Sequence, residues 1–252
     1  MGKARLSSDQ EFGIIQLLPN LITIGALTAG LTAIRFATQE RYDLAVLLIV
    51  LAAVLDGIDG RIARLLKCEG MLGAELDSLS DFVNFGVAAP LVVYLWALED
   101  MRSAGWLAVL VYAVCCVLRL ARFNVTSRTR NNGKSRDFAG IPAPAGALLA
   151  MWPLYVSFLS ANASVLPAGL VAGNLVAIGL LMISRIPTPS LTRIRVAGRN
   201  VKFVIVGVAF LGAAVLTYPW MTLIAICLAY VGWVVADLVR RRGNECDHVT
   251  NK

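Results

Sequence analysis

Eight stretches of this chain, at about 20–38, 43–60, 73–97, 104–122, 139–160, 165–183, 202–217 and 219–238, are apolar over roughly the length that crosses a bilayer. A segment in hydrocarbon has to satisfy its own backbone hydrogen bonds, so stretches of this kind are helices. Hydrophobic residues make up 58% of the 252 and charged residues only 15%, which excludes an ordinary soluble domain. The expectation is an all-α polytopic membrane protein with about eight transmembrane helices. The seventh stretch is marginal, and Pro219 leaves only a very short turn before the eighth. The N-terminal run lacks the short apolar core and cleavage site of a signal peptide, so no processing is expected.

The basic residues orient the chain. With the N-terminus in the cytoplasm, all 23 Lys and Arg fall on that side except Arg35, Arg41 and Arg102. Cytoplasmic loops of membrane proteins carry such an excess, which predicts a multi-pass protein of the cell (inner) membrane with both termini cytoplasmic. The net charge of +7 is then this topology signal plus attraction to anionic lipid head groups. The bilayer is the partner it implies, and no nucleic acid is expected. The five cysteines are odd in number and form no Cys-x-x-Cys pair, so neither a disulfide framework nor a zinc site is supported.

Against this background Asp56, Asp59, Asp77 and Asp81 stand out. A charged side chain at the bilayer centre costs roughly 2.5–3.5 kcal/mol on insertion scales, so four together mark function. Asp56 and Asp59 are i,i+3, and Asp77 and Asp81 are i,i+4, so each pair lies on one helix face. Two such faces turned together make a nest of carboxylates that would repel itself without compensating cations. Oxygen-only donors suit hard ions, Mg²⁺ or Mn²⁺, and four aspartates can hold two ions as a clamp for phosphoryl displacement. The single histidine, His248, lies in the polar tail, so a general base should be a carboxylate. Gly60 and Ala63 between the aspartates permit either close approach of a ligand or tight helix packing. Arg64, at the mouth, is placed to take a phosphate bidentately or to serve as a topology charge.

The pattern Asp56-x-x-Asp59-Gly60-x-x-Ala63-Arg64, eight residues, Gly73, x-x-x-Asp77, x-x-x-Asp81 resembles the complete signature of the CDP-alcohol phosphotransferases. The resemblance implies a six-helix membrane core that transfers a substituted phosphate from a CDP-linked donor to an alcohol, releasing CMP and requiring divalent metal. It implies Asp56, Asp59 and Asp77 as metal ligands, with Asp81 as ligand of the second metal and general base. It also implies Gly60 and Arg64 as CDP and pyrophosphate contacts, with Ala63 and Gly73 beside them and Asp59 near the nucleotide. Pro19-Asn20-Leu-Ile-Thr23 opens the first span as in many members, which puts Asn20 and Thr23 in the donor site.

Arg119-Leu-Ala-Arg122-Phe-Asn124, Phe138-Ala-Gly140-Ile-Pro142-Ala-Pro144 and Ser184-Arg185-Ile-Pro187 are similar to segments of bacterial and archaeal membrane-integral phosphatidylserine synthases. That similarity implies CDP-diacylglycerol and L-serine as substrates. Arg119 and Arg122 share a helix face and suit a carboxylate or the donor phosphates, with Asn124 as a further contact or a helix cap. Pro142 and Pro144 shape a helix start. The expected organisation is an N-terminal segment 1–18, a core 19–200, two additional helices in 201–238 and a tail 239–252. A homodimer is compatible with it. Two rivals stay open: a family member with another acceptor, glycerol 3-phosphate or inositol phosphate, and a divalent-cation transporter, since intramembrane aspartates also line ion paths.

Overall fold

The computed structural model describes residues 14–66, 70–128, 140–160, 166–184 and 201–250. Lys67, Cys68, Phe138 and the Arg185-Ile-Pro187 turn lie outside the described residues. Among those described there is helix and no strand. The helices are α1 (Ile14–Ala37), α2 (Tyr42–Leu66), α3 (Met71–Asp81), α4 (Ala89–Ala97) and α5 (Ser103–Arg128). They are followed by α6 (Ala143–Ala150), α7 (Trp152–Ser160), α8 (Ala168–Ile183), α9 (Val201–Thr217) and α10 (Pro219–Thr250). A π-helical segment, Phe82–Ala88, joins α3 to α4 without a break.

Each expected stretch coincides with one helix or with consecutive helices. Five runs are long and apolar enough to cross a membrane: Leu18–Ala37, Leu72–Ala97, Ser103–Thr126, Ala143–Ser160 and Pro219–Arg240. Helix α8 is apolar but shorter. Helix α2 has the length, yet its second half carries Asp56, Asp59, Arg61 and Arg64, so the signature itself breaks its apolar run. The chain is thus an all-α polytopic membrane protein.

Small residues set how the helices pack. Ala33, Ala37, Ala45, Ala52, Ala88 and Ala89 are buried, while Leu21, Leu107, Leu170 and Leu228 are exposed. Apolar residues face outward because lipid tails are as apolar as leucine, and small residues let backbones approach. Helix α1 lies along α2, α3 and the π segment rest on α1, and α5 packs on α8. Gly30 marks the closest approach, since a Cβ there would sit 2.0 Å from Asn84 Oδ1. The Tyr42 hydroxyl donates to the Leu95 carbonyl at 2.8 Å, which fixes the α1–α2 and α4–α5 turns at the same end of the bundle. Asp56 lies fourteen residues along α2 from that end, roughly 21 Å away.

Pro153 explains why the fifth stretch is two helices. Proline has no N–H to give the Leu149 carbonyl, and the helix is interrupted at Met151. Asn174 of α8 supplies the missing donor: its Nδ2 donates to the Leu149 and Ala150 carbonyls at 3.3 and 3.1 Å. Trp152 Nε1 donates to Asn174 Oδ1 at 3.0 Å. At the start of α6, Gly140 has φ +89, and a Cβ there would meet the Met182 carbonyl oxygen at 2.2 Å. Only glycine fits, and Pro142 and Pro144 then open the helix as the sequence predicts.

Candidate active site

Asp56 and Asp59 project from α2, Asp77 and Asp81 from the last turn and a half of α3. Because α2 and α3 both flank α1, the two carboxylate pairs meet. Oxygens of Asp56, Asp59 and Asp77 all lie within 4.8 Å of one another. Asp81 stands next to this group, with its carboxyl and that of Asp77 both within hydrogen-bonding reach of Asp56. Asp59 is only 3% exposed, and one oxygen each of Asp59 and Asp81 is buried with no hydrogen-bonding partner among the described residues. Three converging carboxylates with no thiol or imidazole among them, and buried oxygens left bare, fit a hard divalent cation.

A polar ladder holds the nest from α1. Thr23 Oγ lies 2.6 Å from Asp59 Oδ2 and 3.1 Å from the Pro19 carbonyl. Its single proton goes to the shorter, charge-assisted contact. The Ser80 hydroxyl donates to the Thr23 carbonyl at 3.4 Å, and Asn84 Nδ2 donates to Ser80 Oγ at 3.2 Å. Thr23, expected in the donor site, therefore binds the side chain of a candidate metal ligand. Asn20 and Gly73 meet each other: a Cβ on Gly73 would lie 3.0 Å from Asn20 Oδ1.

Gly60 has open space where a Cβ would stand, as does Gly57, so neither is there to admit a neighbouring helix. Ala63 is half-buried beside them. Arg64 is exposed, and its Nε donates to the Gly60 carbonyl at 2.9 Å, which lays the guanidinium back along α2 toward Gly60.

The three acceptor candidates separate. Arg119 is half-buried, and its charge acts on both Asp81 and Asp56. Arg122 is exposed and donates to the Ile183 carbonyl at 3.0 Å, satisfying the C-terminal end of α8. Asn124 Nδ2 donates to Ser78 Oγ at 2.8 Å. Helix α5 runs on to Arg128, so Asn124 stands inside the helix, where it ties α5 to α3 one residue beyond Asp77. Ser78 and Ser80 were not legible as site residues, although their positions between Asp77 and Asp81 are the signal that would have found them.

Residues 16–187 match the CDP-alcohol phosphatidyltransferase family. Over 219 residues the chain is 38% identical to a CDP-diacylglycerol–serine O-phosphatidyltransferase of Mycobacterium leprae, covering 86% of this chain and 73% of that protein. A protein of the same name from Helicobacter pylori strain J99 is 33% identical over 201 residues, or 78% of this chain and 81% of the relative. An archaetidylserine synthase of Methanothermobacter thermautotrophicus is 30% identical over 187 residues, 73% of this chain and 74% of its own length. The match spans α1 to the end of α8 and takes in every aspartate of the nest. On that match, this chain belongs to the CDP-alcohol phosphatidyltransferase family.

Proposed function

We propose that this protein transfers the phosphatidyl group of CDP-diacylglycerol to L-serine, giving phosphatidylserine and CMP. The observation that carries the reading is the meeting of Asp56, Asp59 and Asp77 beside Asp81 and Arg119, in a chain whose relatives are named for this transfer. Asp56, Asp59 and Asp77, with Asp81 on one side, would hold two ions of Mg²⁺ or Mn²⁺. When bound, these supply charge neutralisation at the pyrophosphate and at the departing CMP oxygen.

The chain's own residues do the rest. Gly60 and Ala63 leave room for the nucleotide next to Asp59, and Arg64 offers the remaining guanidinium nitrogens to the pyrophosphate. Asn20 and Gly73 border the same space from α1 and α3. Arg119 takes the serine carboxylate, which brings the serine hydroxyl to Asp81. Asp81 accepts the hydroxyl proton as the serine oxygen bonds to the β-phosphorus. The bridging P–O bond breaks and CMP leaves. Arg122 and Asn124 shape the wall through their bonds to Ile183 and Ser78. The core at 19–200 carries this chemistry. Both termini and the nest face the cytoplasm of the cell membrane, in line with the distribution of Lys and Arg.

The test is CMP release by the purified protein in mixed micelles, with L-serine, glycerol 3-phosphate, inositol phosphate or no acceptor. Serine-dependent release with phosphatidylserine as the lipid product is the expected result. Faster release with a phosphorylated acceptor would overturn the choice of serine. Cation flux into liposomes lacking CDP-diacylglycerol, with no CMP release under any condition, would overturn the enzyme.

A further inference from the structure

Three tyrosine hydroxyls are buried with no hydrogen-bonding partner among the described residues: those of Tyr112, Tyr155 and Tyr230. Tyr112 and Tyr155 are fully buried, each 0% exposed. Buried hydroxyls are nearly always paired, so three together need an explanation. They come from different helices and converge. Tyr112, Cys116 and Arg119 are i, i+4 and i+7 along one face of α5. Tyr230 approaches from α10, which packs on α7 and α6. Arg119 lies within electrostatic reach of the Tyr112 and Tyr230 hydroxyls as well as of Asp81. Tyr155 stands one step deeper, near Tyr112 and Cys227.

This set is rich in donors around one fixed cation, and that cation also acts on Asp81. Phenol hydroxyls and a guanidinium together recognise a carboxylate. A small amino acid with its carboxylate at that end would present a side-chain hydroxyl to Asp81. We propose that Tyr112 and Tyr230 line the acceptor pocket with Arg119, each donating to the acceptor's carboxylate. Helix α10, which lies outside residues 16–187 of the family match, thereby completes the active site. The inference rests on the reading of L-serine as acceptor and Arg119 as its carboxylate contact.

Three single variants of the full-length protein test it: Tyr112→Phe, Tyr230→Phe and Arg119→Lys. Tyr218→Phe, exposed just before the same helix, is the control. Each is measured for KM of L-serine, kcat, and CDP-diacylglycerol affinity. Loss of one hydrogen bond to a charged group should raise KM for serine roughly ten- to hundredfold in each Tyr→Phe variant. Donor affinity and kcat should stay within about twofold of the control, a split that a general packing defect does not produce. Unchanged KM in both tyrosine variants, or equal loss of donor and acceptor binding, overturns the proposal. If Arg119→Lys leaves KM for serine unchanged, the acceptor site itself has been misplaced. If Arg119→Lys raises KM and neither tyrosine variant does, only the role of the tyrosines fails.

Discussion

Thr23 donates its hydroxyl to Asp59 Oδ2 at 2.6 Å, across the interface of α1 and α2. The bond uses one oxygen of a buried carboxylate and leaves Oδ1, which has no hydrogen-bonding partner among the described residues, available to ligate a cation. Thr23→Val keeps the shape and removes the proton. The metal concentration for half-maximal CMP release should rise about 10–100-fold, the usual cost of losing a partner behind a metal ligand. Thr23→Ser should restore most of it. Equal metal dependence of the Val and Ser variants would show that the hydroxyl does not orient Asp59.

Asp56→Asn, Asp59→Asn and Asp77→Asn should each abolish CMP release while leaving a folded protein. Each removes charge from one shared site, and the neutralised nest repels itself less without metal. Size-exclusion profile and thermal midpoint check the fold; chelator followed by excess Mg²⁺ or Mn²⁺ checks the activity. Near-normal release by any one variant would take that aspartate out of the site.

Asp81→Asn and Arg64→Ala should fail differently. The first should lose turnover by at least 10²–10⁴-fold, the usual size of general-base loss, and keep CDP-diacylglycerol binding. The second should weaken donor binding, because it removes a contact made in the ground state. Calorimetry and CMP release on the same preparations compare them. Donor binding lost equally in both would make Asp81 a structural ligand.

Orientation can be read from α5 alone. Single cysteines at Thr126 and Ser103, both exposed near opposite ends of that helix, are placed in a cysteine-less background. In intact cells an impermeant thiol reagent should label position 103 and spare 126. The reverse pattern would put the aspartates on the outer side.

Asn174 should matter for stability rather than chemistry. Asn174→Leu leaves the Leu149 and Ala150 carbonyls without their donor inside the bundle. We expect a loss of about 1–2 kcal/mol, seen as a lower thermal midpoint in detergent, with KM values unchanged. An unaltered midpoint would mean that those carbonyls find another donor.

The sequence shows this much of the molecule for a physical reason: apolar length, charge asymmetry and carboxylate spacing are local quantities. The helices and the meeting of the Asp56 and Asp77 pairs follow from them. What is missed depends on contacts between distant parts of the chain. Asn124 finds Ser78 46 residues away, and Arg122 finds the Ile183 carbonyl 61 residues away. Neither bond leaves a trace in spacing. The bond from Thr23 to Asp59 is likewise invisible in spacing, since it emerges only when α1 lies along α2. Nor does spacing show that the hydroxyls of Tyr112, Tyr155 and Tyr230 lack partners among the described residues, which only the folded bundle reveals.

The π-helical segment at Phe82–Ala88 does something none of its side chains does individually. Each residue of an α-helix advances the face by about 100°, and a π turn takes up one residue more than an α turn. The rod from Met71 to Ala97 is therefore two helices out of phase. One presents Asp77 and Asp81 to the nest, and the other presents Val92 and Val93 to the core. A straight helix of the same length could satisfy only one of those faces. The π turn and the residue count between Asp81 and Val92 are thus set together. A chain one residue shorter there would keep both faces only as an uninterrupted α-helix, with the π turn gone.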